Sequence, residues 1–377
     1  MPTPHRPETR VPSQAGRPPS PHDGVMPDTP DRARRLHFGE FYGLLPLPPG
    51  PLALVHGNCQ AESLRVLLGG SATFPARPVR IPPVHELERS DLPHLDTLLT
   101  RTAFLFSQPV RDDYRGLPLG TGELATRAPR ARVVRWPVIR HPALHPWSAI
   151  VRHPRDPAVV PPVVPYHDLR VLAEAAGLAV DHEPGPAALR EVGERGIAEL
   201  ARREARDADV GVSDLLTGLG AVAAHTLNHP GNPVLVALAR RLQAAVGAPA
   251  DAADPGRELL GGIRAPLDAA VVAAWGLDAE PRPDWEVHGE PVSHRTLRAA
   301  HLRWYADHPE WLAAGLTRHG DALRILGVQD SSRGDRVARK MIGASGSAAA
   351  RSITRPAADP TPRVSSVCPT AEGDPHP

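Results

Sequence analysis

The chain has 377 residues, of which 41% are hydrophobic, and a formal net charge of +1. This length suffices for one large domain or two ordinary ones with a sizeable core. The near-neutral charge gives no reason to expect a nucleic acid or an anionic membrane as a partner.

Cysteine usage and hydropathy predict a soluble, cytoplasmic protein. Of the two cysteines, Cys59 and Cys368, the second lies in a segment rich in Pro, Ser and Asp. A disulfide between them is not expected, and the count suits a reducing compartment. No charged start leads into an apolar segment, and no apolar run approaches ~18 residues. We therefore expect neither a signal peptide nor a membrane span.

Both ends of the chain have the composition of disordered segments. Residues 1–35 form a Pro- and Arg-rich arm, and residues 328–377 lack apolar periodicity. The folded part is therefore predicted to span residues 36–327. Within it, residues 50–160 alternate strands with helices, and residues 165–327 are mainly helical.

Four short apolar runs in the first part predict a parallel sheet. They are Leu52–Val55, Val79–Val84, Ala103–Phe106 and Val133–Ile139. Continuous apolar runs that alternate with helical segments are typical of buried strands in a doubly wound α/β fold. Prolines in the second and fourth runs favour edge positions or strand ends. Helices are predicted over residues 61–68 and 85–99.

The second part carries helical patterns over five segments. They are Asp168–Gly177, Ala187–Asp207, Asn232–Gly247, Ser293–Asp307 and Pro309–Leu326. Asn232 and Pro233 have the character of an N-cap and a first helical residue. A cleft between an α/β part and a helical part is a common place for a ligand.

The turn after the first strand is the main candidate site. In a doubly wound sheet, ligands bind outside the carboxyl ends of the strands. Gly57 permits a sharp turn and a close approach to the backbone. Cys59 is expected at the N-terminus of the next helix, where thiols have a lowered pKa. The helix amides, with Asn58 and Gln60, would stabilise an oxyanion or hold a phosphate. The alternative is a buried structural cysteine beside an ordinary cap.

A second polar group follows the third strand, so it is expected at the same edge of the sheet. Gln108 would donate to a ligand carbonyl or oxyanion, and Arg111 and Arg115 would hold phosphate. Tyr114 would stack on a ligand or form a hydrogen bond with it. The alternative is a solvated loop in which Arg111 pairs with one of the two aspartates that follow it.

Most of the 19 histidines must be structural. His229 differs because the loop 228–232 leads into a predicted helix and would present the imidazole to a cleft, where histidine is the commonest general base. His167, in the stretch 165–168, is similar. No paired cysteines and no His-x-x-x-His spacing with supporting ligands occur, so no metal site is expected.

The stretch Gly57–Ala61, with Leu64 and Leu67, resembles the opening motif of the WcbI-type polysaccharide-biosynthesis proteins. Three further stretches resemble the family pattern in the same order. They are Gln108–Gly120 (QPVRDDYRGLPLG), Tyr166–Asp168 and Thr226–Pro230 (TLNHP). Together they span about residues 50–245, and the resemblance fades beyond that.

The resemblance implies a cradle-like α/β fold with a deep coenzyme A pocket and a role as an acetyltransferase that acts on capsular or other surface polysaccharide. Its partners would be acetyl-CoA, a sugar or polysaccharide acceptor and, through the long ends, other biosynthetic enzymes. Carried over residue by residue, the resemblance implies an active centre at Cys59, Asn58 and Gln60 and a pocket that includes Gln108, Arg111, Tyr114 and His229. Together with the residue patterns, this predicts Cys59 and His229 in catalysis, Asn58, Gln60 and Gln108 at the oxyanion or substrate, and Gly57, Arg111, Tyr114 and His167 at the coenzyme.

Acetyl transfer to a sugar hydroxyl is thus the leading hypothesis, by one of two routes. Either an acyl-Cys59 intermediate forms with His229 as base, or a histidine activates the hydroxyl for direct attack while Asn58 and Gln60 form an oxyanion hole. The alternatives are an ester or thioester hydrolase of the SGNH type, in which serine takes the cysteine position, and a non-catalytic module that binds coenzyme A or a sugar nucleotide.

Overall fold

The computed structural model describes residues 30–47, 49–152, 159–180 and 183–329. The predicted arm and tail, and with them Cys368, lie almost entirely outside these ranges. The folded part nevertheless begins before residue 36, because residues 30–37 form a helix. Arg34 holds this helix in place by donating to Asp91 Oδ2 and to the Glu86 carbonyl, each at 3.0 Å. Composition does not reveal contacts at this sequence separation.

The N-terminal half is built on a four-stranded parallel sheet. Its strands are β1 (Leu52–His56), β2 (Arg77–Val79), β3 (Thr102–Ser107) and β4 (Arg132–Arg135). They lie in the order β2-β1-β3-β4, so the two strands predicted at the edges are the edge strands. Both end earlier than their apolar runs, because the prolines at 82, 83 and 137 lack the amide that a ladder needs.

Helices cover both faces of this sheet. They are α1 (Pro30–His37), α2 (Gln60–Gly69), α3 (Leu92–Leu99) and α4 (Thr121–Arg127). Ala53 and Val55 share a core with α2, whereas Leu52 and Leu54 share a second core with α3 and α4. Alternate strand residues therefore face opposite helical layers, which confirms the doubly wound α/β class. Helix α3 forms over only the last part of the predicted segment 85–99.

The C-terminal half is mainly helical, as predicted. Its helices are α5 (Leu169–Ala175), α6 (Pro186–Asp207), α7 (Leu216–Leu219), α8 (Asn232–Ala245), α9 (Ala269–Trp275), α10 (His294–Asp307) and α11 (Glu310–Ile325). The five predicted segments correspond to α5, α6, α8, α10 and α11. Among the helices that the structure describes, none is long and apolar enough to cross a membrane.

Short antiparallel strands, which the sequence does not predict, connect these helices. They are β5 (Ser148–Ala149), β6 (His167–Asp168), β7 (Ala179–Val180), β8 (Ala224–Thr226), β9 (His229–Pro230), β10 (Ile263–Arg264), β11 (Trp285–Val287), β12 (Glu290–Val292) and β13 (Val328–Gln329). Strand β13 pairs with β7 and so carries the fold just beyond residue 327. Strands β8 and β9 form a hairpin directly before α8.

The N-cap of α8 is Gly231, not Asn232 as the sequence pattern indicates. A Cβ at Gly231 would lie 2.1 Å from the Val222 carbonyl oxygen, so only glycine fits there. The Asn232 side chain instead accepts from the Leu259 amide at 2.9 Å and donates to the Arg257 carbonyl at 2.8 Å. Its amide thus fastens the following loop to the start of the helix.

One hydrophobic core joins the two halves. Helix α8 packs against α2, and Leu64 and Leu67 belong to the same buried cluster as Leu235 and Leu238. Since α2 begins directly after β1, this packing brings the β8–β9 hairpin close to the carboxyl end of the central strand. The turn 57–60 therefore lies at the junction of the halves.

Candidate active site

The turn that joins β1 to α2 places Cys59 at the N-cap of a ten-residue helix. Asn58 caps the first turn, because its Oδ1 accepts from the Gln60 amide at 3.0 Å. Its carbonyl also accepts from the Ala61 amide at 2.9 Å. The half-buried Cys59 thiol therefore lies where the dipole of α2 favours negative charge. This is the position that the sequence predicts for it.

Gly57 is required here by crowding. A Cβ at this position would lie 2.7 Å from Gln108 Oε1 and 2.8 Å from Gln108 Cδ. The Gly57 carbonyl accepts from the Val84 amide at 2.8 Å, which ties the turn to the segment after β2. The missing side chain thus makes room for Gln108, and Gly57 itself is buried.

The side chains of Asn58, Gln60 and Gln108 form one hydrogen-bonded group, here called the amide network. Gln108 Oε1 accepts from the Asn58 amide at 2.9 Å. Gln108 Nε2 donates to Asn58 Oδ1 at 3.2 Å and to Gln60 Oε1 at 3.3 Å. Gln60 Oε1 also accepts from the Ile139 amide at 3.1 Å. Because backbone N–H groups can only donate, they fix which end of each side-chain amide is the oxygen.

Gln60 connects the two halves through this network. Its side chain is fully buried, and Nε2 donates to the carbonyls of Ile139 at 2.9 Å and Asn228 at 2.8 Å. Every hydrogen-bonding position of the amide is therefore used. Ile139 follows β4, whereas Asn228 lies in the β8–β9 hairpin, so one side chain fastens both to the start of α2.

The amide network corrects the predicted oxyanion role of Gln60 and Gln108. Both N–H groups of Gln60 bind backbone carbonyls, and those of Gln108 bind the other two amides. Neither side chain has a donor left for a substrate. Asn58 Nδ2 makes no hydrogen bond within the described part of the chain, so it is the side-chain donor that remains next to Cys59.

His229 lies opposite Cys59. Its Nε2 is 3.8 Å from Cys59 Sγ, although the two residues are 170 positions apart. The ring meets Tyr166 edge-on, with centroids 6.1 Å apart, and Tyr166 Oη donates to Asn228 Oδ1 at 2.8 Å. Gln60 and Tyr166 thus hold the residue that precedes His229 from two sides and so orient the imidazole.

Burial keeps this imidazole neutral. His229 is only 9% exposed, and burial lowers its pKa to about 4, with neighbouring His225 acting in the same direction. At neutral pH the ring therefore carries no charge. A neutral imidazole with Nε2 directed at a thiol can take its proton, which makes the pair a possible nucleophile and base.

His167 lies in the core of the helical half. It is fully buried, with Nδ1 2.6 Å from Tyr305 Oη and its ring 5.1 Å from that of Trp311. Burial lowers its pKa to about 3. Enclosed in this way, His167 packs α5, α10 and α11 together and presents no surface to a coenzyme. Its neighbour Tyr166 is the residue of this stretch that reaches the site.

Arg111 and Tyr114 lie in the loop after β3, at the same edge of the sheet as the turn. Arg111 is exposed and forms no ion pair within the described residues, so the predicted pairing with the following aspartates is absent there. Tyr114 is half-buried and packs against the core beneath α3 and α4. Arg115 donates to the His85 carbonyl, which brings this loop next to the segment after β2.

Sequence reasoning overlooked three further arginines near this edge: Arg140, Arg152 and Arg318. Arg140 directly follows Ile139, whose amide and carbonyl both bind Gln60. Burial, together with the nearby charges of Arg318, Arg203 and Arg152, lowers the pKa of Arg140 to about 10. The sequence feature that could have identified Arg140 is its position at the end of the fourth apolar run, since ligands bind at the carboxyl ends of parallel strands.

Comparison with solved structures shows the same fold in a protein studied as WcbI, a novel polysaccharide biosynthesis enzyme. The TM-score is 0.59 at 18% sequence identity, and the match covers 74% of this chain and 98% of that chain. That structure is of the native protein without a disulfide bond between coenzyme A and one of its cysteines. No curated protein matches the sequence significantly.

The family assignment comes from the sequence itself. The model of the family "Polysaccharide biosynthesis enzyme WcbI" matches residues 52–251, which is more than half of the 377 residues. The matched region begins with β1 and includes both Cys59 and His229. This chain therefore belongs to the WcbI family of polysaccharide biosynthesis enzymes.

Proposed function

We propose that this chain transfers an acetyl group from acetyl-CoA to a hydroxyl of a surface or capsular polysaccharide, or of its precursor. The observation that carries the proposal is the 3.8 Å approach of Cys59 Sγ to Nε2 of the neutral His229. A neutral imidazole can take the proton of a thiol, and the helix N-terminus and the resulting charge pair would stabilise the thiolate against the burial of the ring. Membership of a polysaccharide biosynthesis family supports a polysaccharide or its precursor as the acceptor. The coenzyme A named for the solved relative supports acetyl-CoA as the donor.

The pair supports a covalent route in two steps. In the first, His229 takes the proton of Cys59, and the thiolate attacks the carbonyl carbon of the thioester. The bond from that carbon to the coenzyme A sulfur breaks, and coenzyme A leaves with the proton from His229. In the second step His229 takes the proton of the acceptor hydroxyl. The hydroxyl oxygen attacks the acetyl carbonyl carbon, and the bond from that carbon to Cys59 Sγ breaks. The new ester leaves, and the proton on His229 returns to the Cys59 thiolate.

Asn58 and the start of α2 would stabilise the oxyanion in both steps. The Asn58 side chain is held by Gln60 and Gln108 with its Nδ2 unused within the described residues. Its donor is therefore oriented before the substrate arrives, which is what an oxyanion site requires. Removal of one such donor typically lowers kcat about 10²–10³-fold.

The first experiment compares wild type with Cys59→Ala and Cys59→Ser. We expect acceptor-dependent release of coenzyme A from acetyl-CoA by wild type, and an acetylated Cys59 peptide in quenched samples. Both variants should raise their melting temperature with coenzyme A but release it at least about 10³-fold more slowly. Cys368→Ala is the matched control and should behave as wild type.

Three outcomes would contradict the proposal. Only a weak loss in Cys59→Ser would favour direct transfer without an acyl-cysteine. Release of coenzyme A at the same rate without an acceptor would indicate a thioester hydrolase. No thermal shift with coenzyme A or acetyl-CoA at millimolar concentration would remove coenzyme A from the reaction altogether.

Coenzyme A disulfide tests the donor position separately. Exchange between the Cys59 thiolate and this disulfide would form a mixed disulfide on Cys59 and release one reduced coenzyme A. We expect it to label Cys59 faster than glutathione disulfide does, and acetyl-CoA to protect the thiol. Equal labelling rates for the two disulfides would mean that the site does not recognise coenzyme A.

A further inference from the structure

Two loops bring positive charge to the edge of the sheet where Cys59 lies, and a third loop holds one of them there. Arg140 follows Ile139, which is bound to the Gln60 side chain. His85 follows Val84, whose amide donates to the Gly57 carbonyl at 2.8 Å. Arg115, from the loop after β3, donates to the His85 carbonyl. Arg140 and Arg115 therefore flank the turn 57–60, outside the carboxyl ends of the strands.

Arg152 and Arg318 complete a group of four with Arg115 and Arg140, here called the arginine cluster. Arg115 and Arg152 lie near His85, Arg140 and Arg318 lie near His319, and Arg152 and Arg318 lie near Arg140. Burial lowers the pKa of His85 to about 4, and Arg152 and Arg115 add to the shift. Burial likewise lowers the pKa of His319 to about 4, with Arg318 and Arg140 acting in the same direction.

The arginine cluster has no acidic counterparts in the described part of the chain. None of its four members forms an ion pair there, and Arg140 Nε is buried without a hydrogen-bond partner. Nearby Arg203, by contrast, pairs with Glu199 at 3.6 Å. Arg65, in the N-terminal half, likewise pairs with Glu62 at 2.7 Å. Clustered like charges repel, and a partly buried guanidinium without a partner is costly, unless an anion compensates.

We propose that the arginine cluster binds the phosphates of coenzyme A, namely its pyrophosphate and its 3′-phosphate. This inference rests on the proposed function, because it takes coenzyme A as the donor. Guanidinium groups match phosphate oxygens in a two-pronged geometry, which favours arginine at such sites. A phosphomonoester carries about −1.5 to −2 charges, so with two charges on the pyrophosphate the ligand closely balances four arginines. The thiol arm would then extend toward Cys59.

The pyrophosphate of a nucleotide-activated sugar offers part of the same chemistry. We favour coenzyme A because only it adds the 3′-phosphomonoester, which balances four cations without an ion pair in the described residues better than a pyrophosphate diester with about two charges. The two sources can be separated with fragments that lack a thiol. Adenosine 3′,5′-bisphosphate represents the coenzyme, and UDP-glucose represents an activated sugar.

The experiment is calorimetric titration of the full chain with adenosine 3′,5′-bisphosphate and with inorganic pyrophosphate. We expect Arg318→Gln and Arg140→Gln each to weaken the bisphosphate about tenfold or more, the effect of one charge-assisted hydrogen bond. Arg318 is exposed on α11, so its loss leaves the fold intact even if Arg140→Gln does not. Arg130→Gln is the matched control, because Arg130 is exposed before β4, at the opposite edge of the sheet.

Two results would overturn the inference. One is equal affinity in Arg318→Gln and Arg130→Gln, and the other is tighter binding of UDP-glucose than of the bisphosphate. The probes carry no thiol, so Cys59→Ala should bind them as wild type does. Loss of acetyl transfer with bisphosphate binding retained would refute the proposed function alone. Normal transfer and normal bisphosphate binding in both cluster variants would refute this inference alone.

Discussion

The two halves of the molecule supply the candidate site in different ways. In the N-terminal half, Cys59 and Asn58 belong to one turn, and the strand before it and the helix after it suffice to place them. In the C-terminal half, His229 lies on a two-residue strand and reaches Cys59 only because Gln60 and Tyr166 hold the preceding residue. The Cys59 thiol is thus positioned locally and the His229 imidazole by long-range contacts.

Acidification should destabilise the C-terminal half before the N-terminal half. We expect this effect on stability to be larger than that of any substitution described below. Histidines whose pKa is lowered mainly by burial lie mostly within or against the C-terminal half. His167, His225, His229, His301 and His319 lie within it, and His141 and His145 bond to Leu227 and Pro266 of that half. The others are His37, His56 and His85 in the N-terminal half. Their folded pKa lies below the unfolded value of about 6.5, so below that pH the unfolded chain binds more protons.

The free energy of unfolding should therefore fall as the pH drops from about 6.5 toward 4, by up to ~1.4 kcal/mol per pH unit for each such histidine. Hydrogen exchange followed by mass spectrometry over this range should show amides of α5, α10 and α11 losing protection before those of β1 and β3. Loss of protection in the sheet at the same or a higher pH would refute the difference between the halves.

His229→Gln tests whether the C-terminal half contributes chemistry rather than support. Loss of a general base typically lowers the rate about 10²–10⁴-fold, so kcat for acceptor-dependent release of coenzyme A should fall in this range. Binding of coenzyme A, measured by thermal shift, should persist. His225→Gln, on the same hairpin, is the comparison. Equal losses in the two variants would point to the folding of the hairpin instead.

Gln60→Ala should weaken the junction between the halves. It leaves the Ile139 and Asn228 carbonyls buried without their donor, which we expect to cost about 2–5 kcal/mol in urea unfolding. Gln243→Ala is a matched control, because Gln243 is equally buried but bonds only within its own half, to Asp251 and Ala252. Both variants should lose stability, but only Gln60→Ala should slow alkylation of Cys59 by iodoacetamide. An unchanged alkylation rate would show that the amide network does not influence the reactivity of the Cys59 thiol.

Gly57→Ala should have the smallest effect. The added methyl group meets Gln108 Oε1 at 2.7 Å, and overpacking of this kind costs about 1–3 kcal/mol. Gly69→Ala, at the other end of α2, meets no atom within 4 Å and should be neutral or slightly stabilising. Thermal unfolding of the two variants measures the difference. Equal melting temperatures would show that Gln108 moves away without cost.

The sequence predicts those features of the fold that depend on residues close together in the chain. The run Leu52–Val55, bounded by proline and glycine, identifies both the central strand and the Cys59 turn, because burial on two faces leaves a continuous apolar signal. The two-residue strands carry no such periodicity, so the β8–β9 hairpin is invisible in the sequence although His229 is not. The convergence of Arg140 and Arg318 depends on how α11 folds back, which composition does not contain.

A correct segment can also point to the wrong residue. The stretch 165–168 does reach the site, but through Tyr166 rather than His167. Successive side chains of an extended segment point in opposite directions, so only one of the two can face the hairpin. Likewise, Gln60 and Gln108 lie beside the Cys59 turn, but their donors are consumed by each other and by the backbone. Sequence spacing thus predicts which segments lie near Cys59, whereas the hydrogen bonds in the structure determine which side chains could act there.

The hydrogen bonds of the Gln60 amide imply an order in which the candidate site assembles during synthesis. Its partners lie at positions 139 and 228, and His229 leaves the ribosome 170 residues after Cys59. At about 5–20 residues per second, some 10–30 seconds pass in which the thiol has no imidazole beside it. The sheet can fold in that interval with an unassembled thiol–imidazole pair. Assembly of the pair thus awaits synthesis of the β8–β9 hairpin, and a shorter nascent fragment carries the thiol without the imidazole.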